Sequence, residues 1–310
     1  PSVAEFCGNV YTIDLGYSND VLQNGSDCNI DFVTETAVRP FSMSSLPWNA
    51  HKGSLGHVAV IAGSGKYSGA AALASLGALR GGAGLCTCYT LPCCVARVCV
   101  LAPELIVQAV ASENALEWEP EFVEELLPEL AGKVVVCGPG MGNTPAVAEC
   151  VKLLLQAHCK GLIFDADALN AIASNPSILR EASVPVIITP HPGEAARLLN
   201  CTVGEIESDR TAAAKRLHEI TGAVVVLKGA RTLICGEKLQ MLLNGNQAMA
   251  TGGGMGDVLA GLCGAYLARS AVDAEAAAGA AAWAHAHAGD ILHWMRPYAP
   301  IRASELANFI

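Results

Sequence analysis

The sequence predicts an α/β protein whose central, mostly parallel sheet is flanked by helices. From residue 56 onward, short apolar runs alternate with helical stretches, and runs such as HVAVIAG and KVVVCGPG are continuously apolar. Continuous apolar runs are typical of strands buried on both faces, as in parallel sheets. Hydrophobic residues make up 52% of the chain and charged residues only 15%. This composition excludes a disordered or collagen-like chain.

Three segments follow one another along the chain. Residues 1–33 contain a strand-like run, NVYTIDLG, and a polar stretch, and they look separate from the rest. Residues 34–50 carry Pro40, Pro47 and several serines, which is typical of a linker or arm. Residues 51–310 are predicted to form one α/β domain. Its predicted elements are strands at HVAVIAG, KVVVCGPG, GLIFDADA, PVIITPHPG and AVVVLKGA, a hairpin over 231–243, and helices following residue 70 and over 256–268 and 274–295.

Charge and cysteine usage exclude several classes of partner. The chain has 19 basic against 29 acidic residues, a net charge of −10, which disfavours binding to nucleic acid or an anionic membrane. A phosphate ligand must therefore be held mainly by backbone N–H groups and helix N-termini. The thirteen cysteines include Cys86, Cys88, Cys93 and Cys94, but their CxC…CC spacing is not that of a zinc ribbon. An odd cysteine count without a secretory segment favours free thiols and the cytoplasm.

Nearly every predicted strand ends in Gly, Pro or Asp, and ligands of open parallel sheets bind beyond the carboxyl ends of the strands. The sharpest motif there is TGGGMGD, which opens a helix with Asp257 in its first turn. Glycine amides at a helix N-terminus form an anion cradle. Asp257 is either a reacting group in that cradle or only a charge partner of the helix terminus.

Other motifs at strand ends each allow two interpretations. GSGKYSG fails as a P-loop because Tyr67 stands where a magnesium-binding Ser or Thr is needed, so it is interpreted as a glycine-rich turn that approaches a ligand. In DADALN, Asp165 and Asp167 belong to a site, or one of them caps the next helix. Glu194 either holds magnesium through water or is a first-turn helix acid. Positions 285 and 287 are histidines on different helix faces, so we expect no shared metal.

Seven stretches, in this order, resemble the ribokinase-like family and, within it, the ADP- or ATP-dependent NAD(P)H-hydrate dehydratases: HKGSLGHVAVIAGS, GALRGGAGL, GPGMG, DADALN, ITPHPGEAARLL, VVVLKGARTLI and NQAMATGGGMGDVLAG. The run NVYTIDLGYS resembles the end of the NAD(P)H-hydrate epimerase domain that precedes the dehydratase in bacterial bifunctional proteins. The resemblance implies a ribokinase-like three-layer sandwich. It also implies that residues 1–33 are the remnant of a preceding epimerase-like domain.

The resemblance further implies a reaction. The hydroxyl of the S form of NAD(P)H hydrate is phosphorylated from ADP, and phosphate then leaves, which gives NAD(P)H, AMP and phosphate. Asp257 would be the general base, and Mg²⁺, positioned through water with help from Glu194, would neutralise the nucleotide phosphates. The bacterial style of the motifs favours ADP over ATP. The family suggests a homotetramer.

Carried over residue by residue, the resemblance assigns two sets of contacts. The hydrate would contact Ala70, Gly140, Gly142, His191 and Asp257. ADP or AMP would contact Lys228, Gly229, Ala230, Arg231, Thr232, Asn246, Gly253, Gly254 and Gly256. This sequence has one more residue than the family pattern between Asn246 and Asp257, which leaves open which glycine of 252–256 contacts phosphate.

Two alternatives to dehydration stay open. A kinase of the same fold would use the same Asp257 and glycine cradle, but it would release a phosphorylated alcohol such as a vitamin precursor. A catalytically silent nucleotide-binding domain is the third hypothesis. The presence of Asp257, Glu194 and Lys228 together weighs against a silent domain.

Overall fold

The computed structural model describes residues 30–41, 46, 48–270 and 273–310. Within these residues ten strands form one sheet: β1 (Ile30–Val33), β2 (His57–Ile61), β3 (Leu85–Thr90), β4 (Ile106–Ala109), β5 (Val134–Cys137), β6 (Gly161–Phe164), β7 (Val186–Ile188), β8 (Val224–Leu227), β9 (Leu233–Cys235) and β10 (Leu239–Leu242). Their spatial order is β1-β10-β9-β8-β7-β6-β5-β2-β3-β4. Of these strands only β9 runs antiparallel to its neighbours.

Helices connect the strands: α1 (Glu35–Val38), α2 (Ser68–Arg80), α3 (Pro92–Leu101), α4 (Pro120–Leu126), α5 (Pro145–Leu155), α6 (Asp167–Ala171), α7 (Pro192–Leu198), α8 (Val203–Ser208), α9 (Arg210–Thr221), α10 (Met255–Ser270), α11 (Ala274–Met295) and α12 (Ala303–Ala307). Short 3₁₀ helices cover Arg39–Phe41, Lys52–Leu55, Leu127–Leu130, Pro176–Glu181 and Gln247–Thr251.

The sheet is buried on both faces, as the continuous apolar runs predicted. In β2, Val58 and Val60 belong to a core shared with α2, α10 and α11. Ala59 and Ile61 point the opposite way, into a second core shared with α4 and α5. This alternation follows from the two-residue period of a strand. The five predicted strands are confirmed as β2 and β5 to β8, and the predicted hairpin is confirmed as the antiparallel pair of β9 and β10.

The N-terminal part of the described chain packs on this domain. Strand β1, assigned from sequence to the preceding segment, pairs in parallel with β10 and forms an edge of the sheet. Phe41, from the expected linker, is buried and stacks on Tyr266 with ring centroids 4.9 Å apart. The boundary expected at residue 33 therefore lies inside packed structure. The run NVYTIDLG lies outside the described residues, so the epimerase-like remnant stays a prediction.

Helices α2 and α10 approach each other with backbone against backbone. A Cβ on Gly261 would lie 1.9 Å from the carbonyl oxygen of Ala74, and one on Gly77 would lie 2.2 Å from that of Val258. Only glycine permits such contacts, because any larger side chain would need the space that the facing backbone occupies. These contacts therefore fix the position of helix α10, which carries Asp257, relative to α2.

We expect Gly261→Ala to lower the free energy of unfolding by about 1–3 kcal/mol, because the added methyl group forces the two helices apart. Gly69→Ala is the matched control, since Gly69 lies in α2 and no described atom outside its chain neighbours and its own helix backbone lies within 4 Å of its Cβ position. Urea denaturation of both variants measures the difference. Equal midpoints for the two variants would contradict the close approach described for α2 and α10.

Candidate active site

Three side chains from neighbouring strand ends meet beyond the carboxyl edge of the sheet. Asp165 follows β6, Thr189 follows β7 and Lys228 follows β8. The Nζ of Lys228 lies 2.7 Å from Oδ1 of Asp165, and the hydroxyl of Thr189 donates to the same oxygen at 2.7 Å. The order β8-β7-β6 in the sheet brings together residues that are far apart along the chain.

Asp165 keeps one oxygen free at this point. Its side chain is only 1% exposed, yet Oδ2 has no hydrogen-bond partner among the described residues. A Cβ on Gly256 would lie 3.6 Å from that oxygen and 3.0 Å from Nζ of Lys228. Since a buried acceptor without a partner is costly, this oxygen is suited to accept a bond from a ligand or its water shell.

Glu194 has a structural and an electrostatic role at once. It is buried, and its Oε2 accepts the backbone N–H of His191 at 2.8 Å and lies 3.8 Å from Nζ of Lys228. His191 completes the capping box of α7, because its Nδ1 accepts the N–H of Glu194 at 3.4 Å; the same atom also accepts the N–H of Gly193 at 2.9 Å. Burial raises the pKa of Glu194 to about 7, with Lys228 opposing the rise and Asp165 adding to it. Glu194 is therefore the first-turn helix acid of one interpretation, and its water-mediated binding of magnesium stays a prediction.

Asp257 lies in the first turn of α10 and is partly buried. Burial raises the pKa of Asp257 to about 7, and the charge of Asp165 adds to this while Lys228 opposes it. Asp167 and Glu194 raise the pKa of Asp257 further. Burial alone would lower the pKa of Lys228, but the charges of Asp165, Glu194 and Asp257 raise it, so the ammonium stays charged. Lys228 thus faces Asp165, Glu194 and Asp257, and the pKa of Asp257 lies near neutral pH. These four residues and Thr189, which donates to Asp165, form what we call the acidic cluster.

The predicted hydrate-contacting residues lie on elements that surround this cluster. Gly140, with φ +63°, packs on the start of α2, where a Cβ would lie 2.7 Å from that of Ala70. Gly142 donates its N–H to Oδ2 of Asp167 at 2.8 Å. Asp167 is therefore bound to the glycine turn and Asp165 to Lys228, so neither acts as the helix cap that was the alternative. No described side chain caps α6.

The predicted nucleotide-contacting loop follows β8 directly. Gly229 has φ +147°, and a Cβ there would lie 2.8 Å from Nη2 of Arg210. Arg210, which is buried, donates to the carbonyl oxygens of Leu227 and Lys228 at 3.2 and 3.1 Å. Thr232 donates its hydroxyl hydrogen to the oxygen of Gly229 at 3.1 Å. These bonds hold the loop, while the ammonium of Lys228 is used inside the acidic cluster rather than by the loop.

The loop that leads into α10 is fastened to α11. The amide nitrogen of Asn246 donates to Asp290 at 2.8 Å, and its amide oxygen accepts the N–H of Ala248 at 3.0 Å. Asn246 was predicted to contact the nucleotide. Both the amide nitrogen and the amide oxygen of its side chain instead form hydrogen bonds that fix the shape of the loop. Farther along, Gly253 is exposed and Gly254 has φ +88°, a conformation that favours glycine.

His285 and His287 of α11 have separate roles, as their spacing predicted. His285 is buried and donates its Nε2–H to the carbonyl oxygen of Met255 at 3.0 Å. Burial lowers the pKa of His285 to about 4, so the ring is neutral at physiological pH. His287 instead stacks on Trp283 with ring centroids 4.5 Å apart. The start of the Asp257 helix is therefore tied to α11 by an uncharged hydrogen bond.

Within the described ranges, no three His, Cys, Asp or Glu side chains are arranged to hold a metal ion by themselves. Cys86, Cys88 and Cys94 are buried free thiols. No helix in the described part of the chain is long and apolar enough to cross a membrane. The partners of Asp165 were not predicted, and Thr189, although it ends a predicted strand, was not among the predicted site residues. A carboxylate and a threonine that end adjacent predicted strands were the available signal.

The raised pKa of Asp257 has a measurable effect on folding. Because the folded protein keeps this proton up to about pH 7 whereas an ordinary aspartate loses it near 3.8, ionisation costs stability as the pH rises between these values. We expect Asp257→Asn to raise the free energy of unfolding at pH 8 by about 1–3 kcal/mol. The gain should shrink as the pH falls to 5. Urea denaturation at both pH values measures it, and a gain that does not depend on pH would contradict the charge argument.

The sheet and the carboxylate beside a glycine-rich helix start define a ribokinase-like protein. The chain belongs to the NAD(P)H-hydrate dehydratase family, whose model matches residues 58–308. The fold predicted from the resemblance is thereby confirmed. A solved ADP/ATP-dependent NAD(P)H-hydrate dehydratase from Bacillus subtilis, co-crystallised with ATP/Mg²⁺, is similar with a TM-score of 0.76 and 28% identity, over 91% of this chain and 96% of that one.

Two curated relatives place the chain more closely. It is 38% identical over 270 residues to a bifunctional NAD(P)H-hydrate repair enzyme of Escherichia coli K12, covering 83% of this chain and 48% of the relative. It is 36% identical over 269 residues to an ADP-dependent (S)-NAD(P)H-hydrate dehydratase of Neisseria meningitidis serogroup B, covering 83% and 84%. The chain thus spans about half the length of the bifunctional relatives that it matches.

Proposed function

We propose that this chain catalyses the ADP-dependent dehydration of the S form of NAD(P)H hydrate, restoring NAD(P)H with release of AMP and phosphate. The observation that carries the proposal is Asp257, a carboxylate at the first turn of a glycine-rich helix start, with its pKa raised to about 7 mainly by burial. A general base works best when its pKa lies near the operating pH. Family membership supports the choice of substrate.

The reaction must turn a poor leaving group into a good one. The hydrate carries a hydroxyl on the ring carbon beside the nitrogen, and hydroxide leaves poorly. Asp257 takes the hydroxyl proton as the oxygen attacks the β-phosphorus of ADP. The bond from that phosphorus to the bridging oxygen breaks, and AMP leaves with its electron pair. The ring nitrogen then expels phosphate, and loss of a proton from the neighbouring carbon restores the double bond of NAD(P)H.

The surrounding residues hold the two substrates. The loop over residues 228–232 and the glycines at 253, 254 and 256 would contact ADP, and their amides would stabilise the charge on the transferring phosphoryl group. Ala70, Gly140, Gly142 and His191 would contact the hydrate. In this proposal Lys228 contributes positive charge from within the cluster, since its ammonium lies 2.7 Å from Asp165.

Magnesium fits the donor set of this site. Carboxylate oxygens are the ligands that Mg²⁺ prefers, and it keeps several waters when it is bound with nucleotide phosphates. The unpartnered Oδ2 of Asp165 provides one such oxygen, and Oε2 of Glu194 lies 3.8 Å from Nζ of Lys228. Both would hold the ion through water. When bound, it would neutralise charge on the nucleotide phosphates.

The test supplies the protein with (S)-NADH hydrate, ADP and Mg²⁺ and follows absorbance of the reduced nicotinamide together with AMP and phosphate. We expect equimolar formation of NADH, AMP and phosphate, and no turnover with α,β-methylene-ADP, whose phosphorus–carbon bond is not cleaved. Intact hydrate and intact ADP would refute the proposal. Consumption of ADP with a simple alcohol, leaving a phosphorylated product, would establish the kinase alternative instead.

The homotetramer stays a prediction from the resemblance, and the cytoplasmic location stays a prediction from the cysteines.

A further inference from the structure

A groove of about 600 Å³ runs along α5 on the side that faces the segment after α6. Its polar lining includes the side chains of Asn143, Thr144, Asn170 and Asn175. Residues from Thr144 to Lys152 line it along the helix, and at 1.5 Å per residue this gives a length of about 12 Å. That length suits a nucleoside monophosphate.

The groove continues from the candidate active site. Asn143 follows Gly142, whose N–H is bonded to Asp167 in the first turn of α6. Asn170 lies one turn further along α6, and its Oδ1 accepts a hydrogen bond from Arg197 of α7 at 3.1 Å. Helix α7, which His191 caps, therefore supports one side of the groove through this hydrogen bond.

The chemistry of the lining points to a purine and a ribose. Amide side chains both donate and accept hydrogen bonds, as base edges and sugar hydroxyls require. Ile172 and Ile178 are buried residues that also contribute to the lining and give an apolar surface for a flat ring. The buried Oγ1 of Thr144 has no hydrogen-bond partner in the described part of the chain. Lys152 lies at the exposed rim and is paired with Glu149 at 2.7 Å.

Strand order separates this groove from the expected nucleotide position. The groove opens after β5 and β6, whereas the loop expected to contact ADP follows β8. In the order β8-β7-β6-β5, strands β8 and β5 are three intervals apart, about 14 Å. Asp165 lies between them, after β6. One ligand therefore approaches from each side of the acidic cluster.

We infer that this groove binds the adenosine half of the NAD(P)H hydrate, while the nicotinamide half lies near Asp257. The inference rests on the proposed function, because it places the remainder of that same substrate. The dinucleotide would enter past Gly142, with its adenine along α5.

A truncated substrate tests this assignment. The hydrate of reduced nicotinamide mononucleotide carries the reacting ring but lacks the adenosine half. Ala148→Trp fills the groove, and Ala146→Trp makes the same change on the same helix at a position that does not line it. Asn143→Ala is a second, milder variant that removes an exposed amide. Thermal unfolding of each variant verifies folding, and KM is measured for both hydrates and for ADP.

We expect Ala148→Trp to raise KM for NADH hydrate about tenfold and Asn143→Ala to raise it about threefold, with KM for the mononucleotide hydrate and for ADP unchanged. Ala146→Trp should behave as the wild type. Equal KM changes for both hydrates, or no change in either lining variant while the wild type is active, would overturn the groove assignment alone. A raised KM for ADP would show that the groove takes the nucleotide instead. No turnover of either hydrate by the wild type would overturn the proposed function, and this assignment with it.

Discussion

Asp257→Asn is expected to lower kcat by about 10²–10⁴-fold while ADP still binds, because asparagine keeps the shape of the side chain but accepts no proton. Single-turnover formation of AMP measures the chemical step, and calorimetric titration measures ADP affinity. Asp31→Asn is the matched control, since Asp31 is exposed on the edge strand β1. It should leave kcat unchanged.

Retained turnover in Asp257→Asn would exclude this carboxylate as the base. If the variant lost both ADP binding and turnover, Asp257 would be assigned to nucleotide binding rather than to proton transfer. The expected combination, a more stable but inactive protein at pH 8, is one that simple misfolding does not produce.

Lys228→Met is expected to lower the free energy of unfolding by about 3 kcal/mol at pH 8, because it leaves the buried Asp165 and Glu194 without their cation. The deficit should shrink at pH 5, since protonation then neutralises Glu194, whose pKa burial already raises to about 7. Urea denaturation at the two pH values measures both effects. Activity should fall as well, since repulsion among the acids distorts the site.

Lys160→Met is the control for that change, because Lys160 is an exposed lysine outside the cluster. It should change stability little at either pH. If Lys228→Met were equally harmless, the lysine would not balance the acids, and the buried carboxylates would have to be neutral at pH 8.

The parallel sheet was predictable because its strands are continuous apolar runs whose glycine, proline or aspartate ends are visible in the sequence. Strand β1 was not, since it is only four residues long and includes Asp31, and only pairing with β10 makes these residues a strand. The bond between Lys228 and Asp165 joins residues 63 positions apart. No local pattern reveals such a contact, because strand order in the sheet creates it.

The motifs also do not show which atoms each polar side chain contacts. Asn246 and Lys228 were expected to contact a nucleotide, yet their polar groups are engaged with Asp290 and Asp165. A side chain in a motif often positions a backbone segment that binds the ligand, and only the three-dimensional structure distinguishes that role from direct contact.

The acidic cluster is assembled from the ends of three strands, β6, β7 and β8, and from a helix that follows them much later in the chain. No contiguous fragment shorter than residues 165–257 contains all of its members. We therefore expect enzyme activity only when the whole domain that carries these residues is folded. In a denaturant titration, the loss of activity and the loss of secondary structure should follow a single curve.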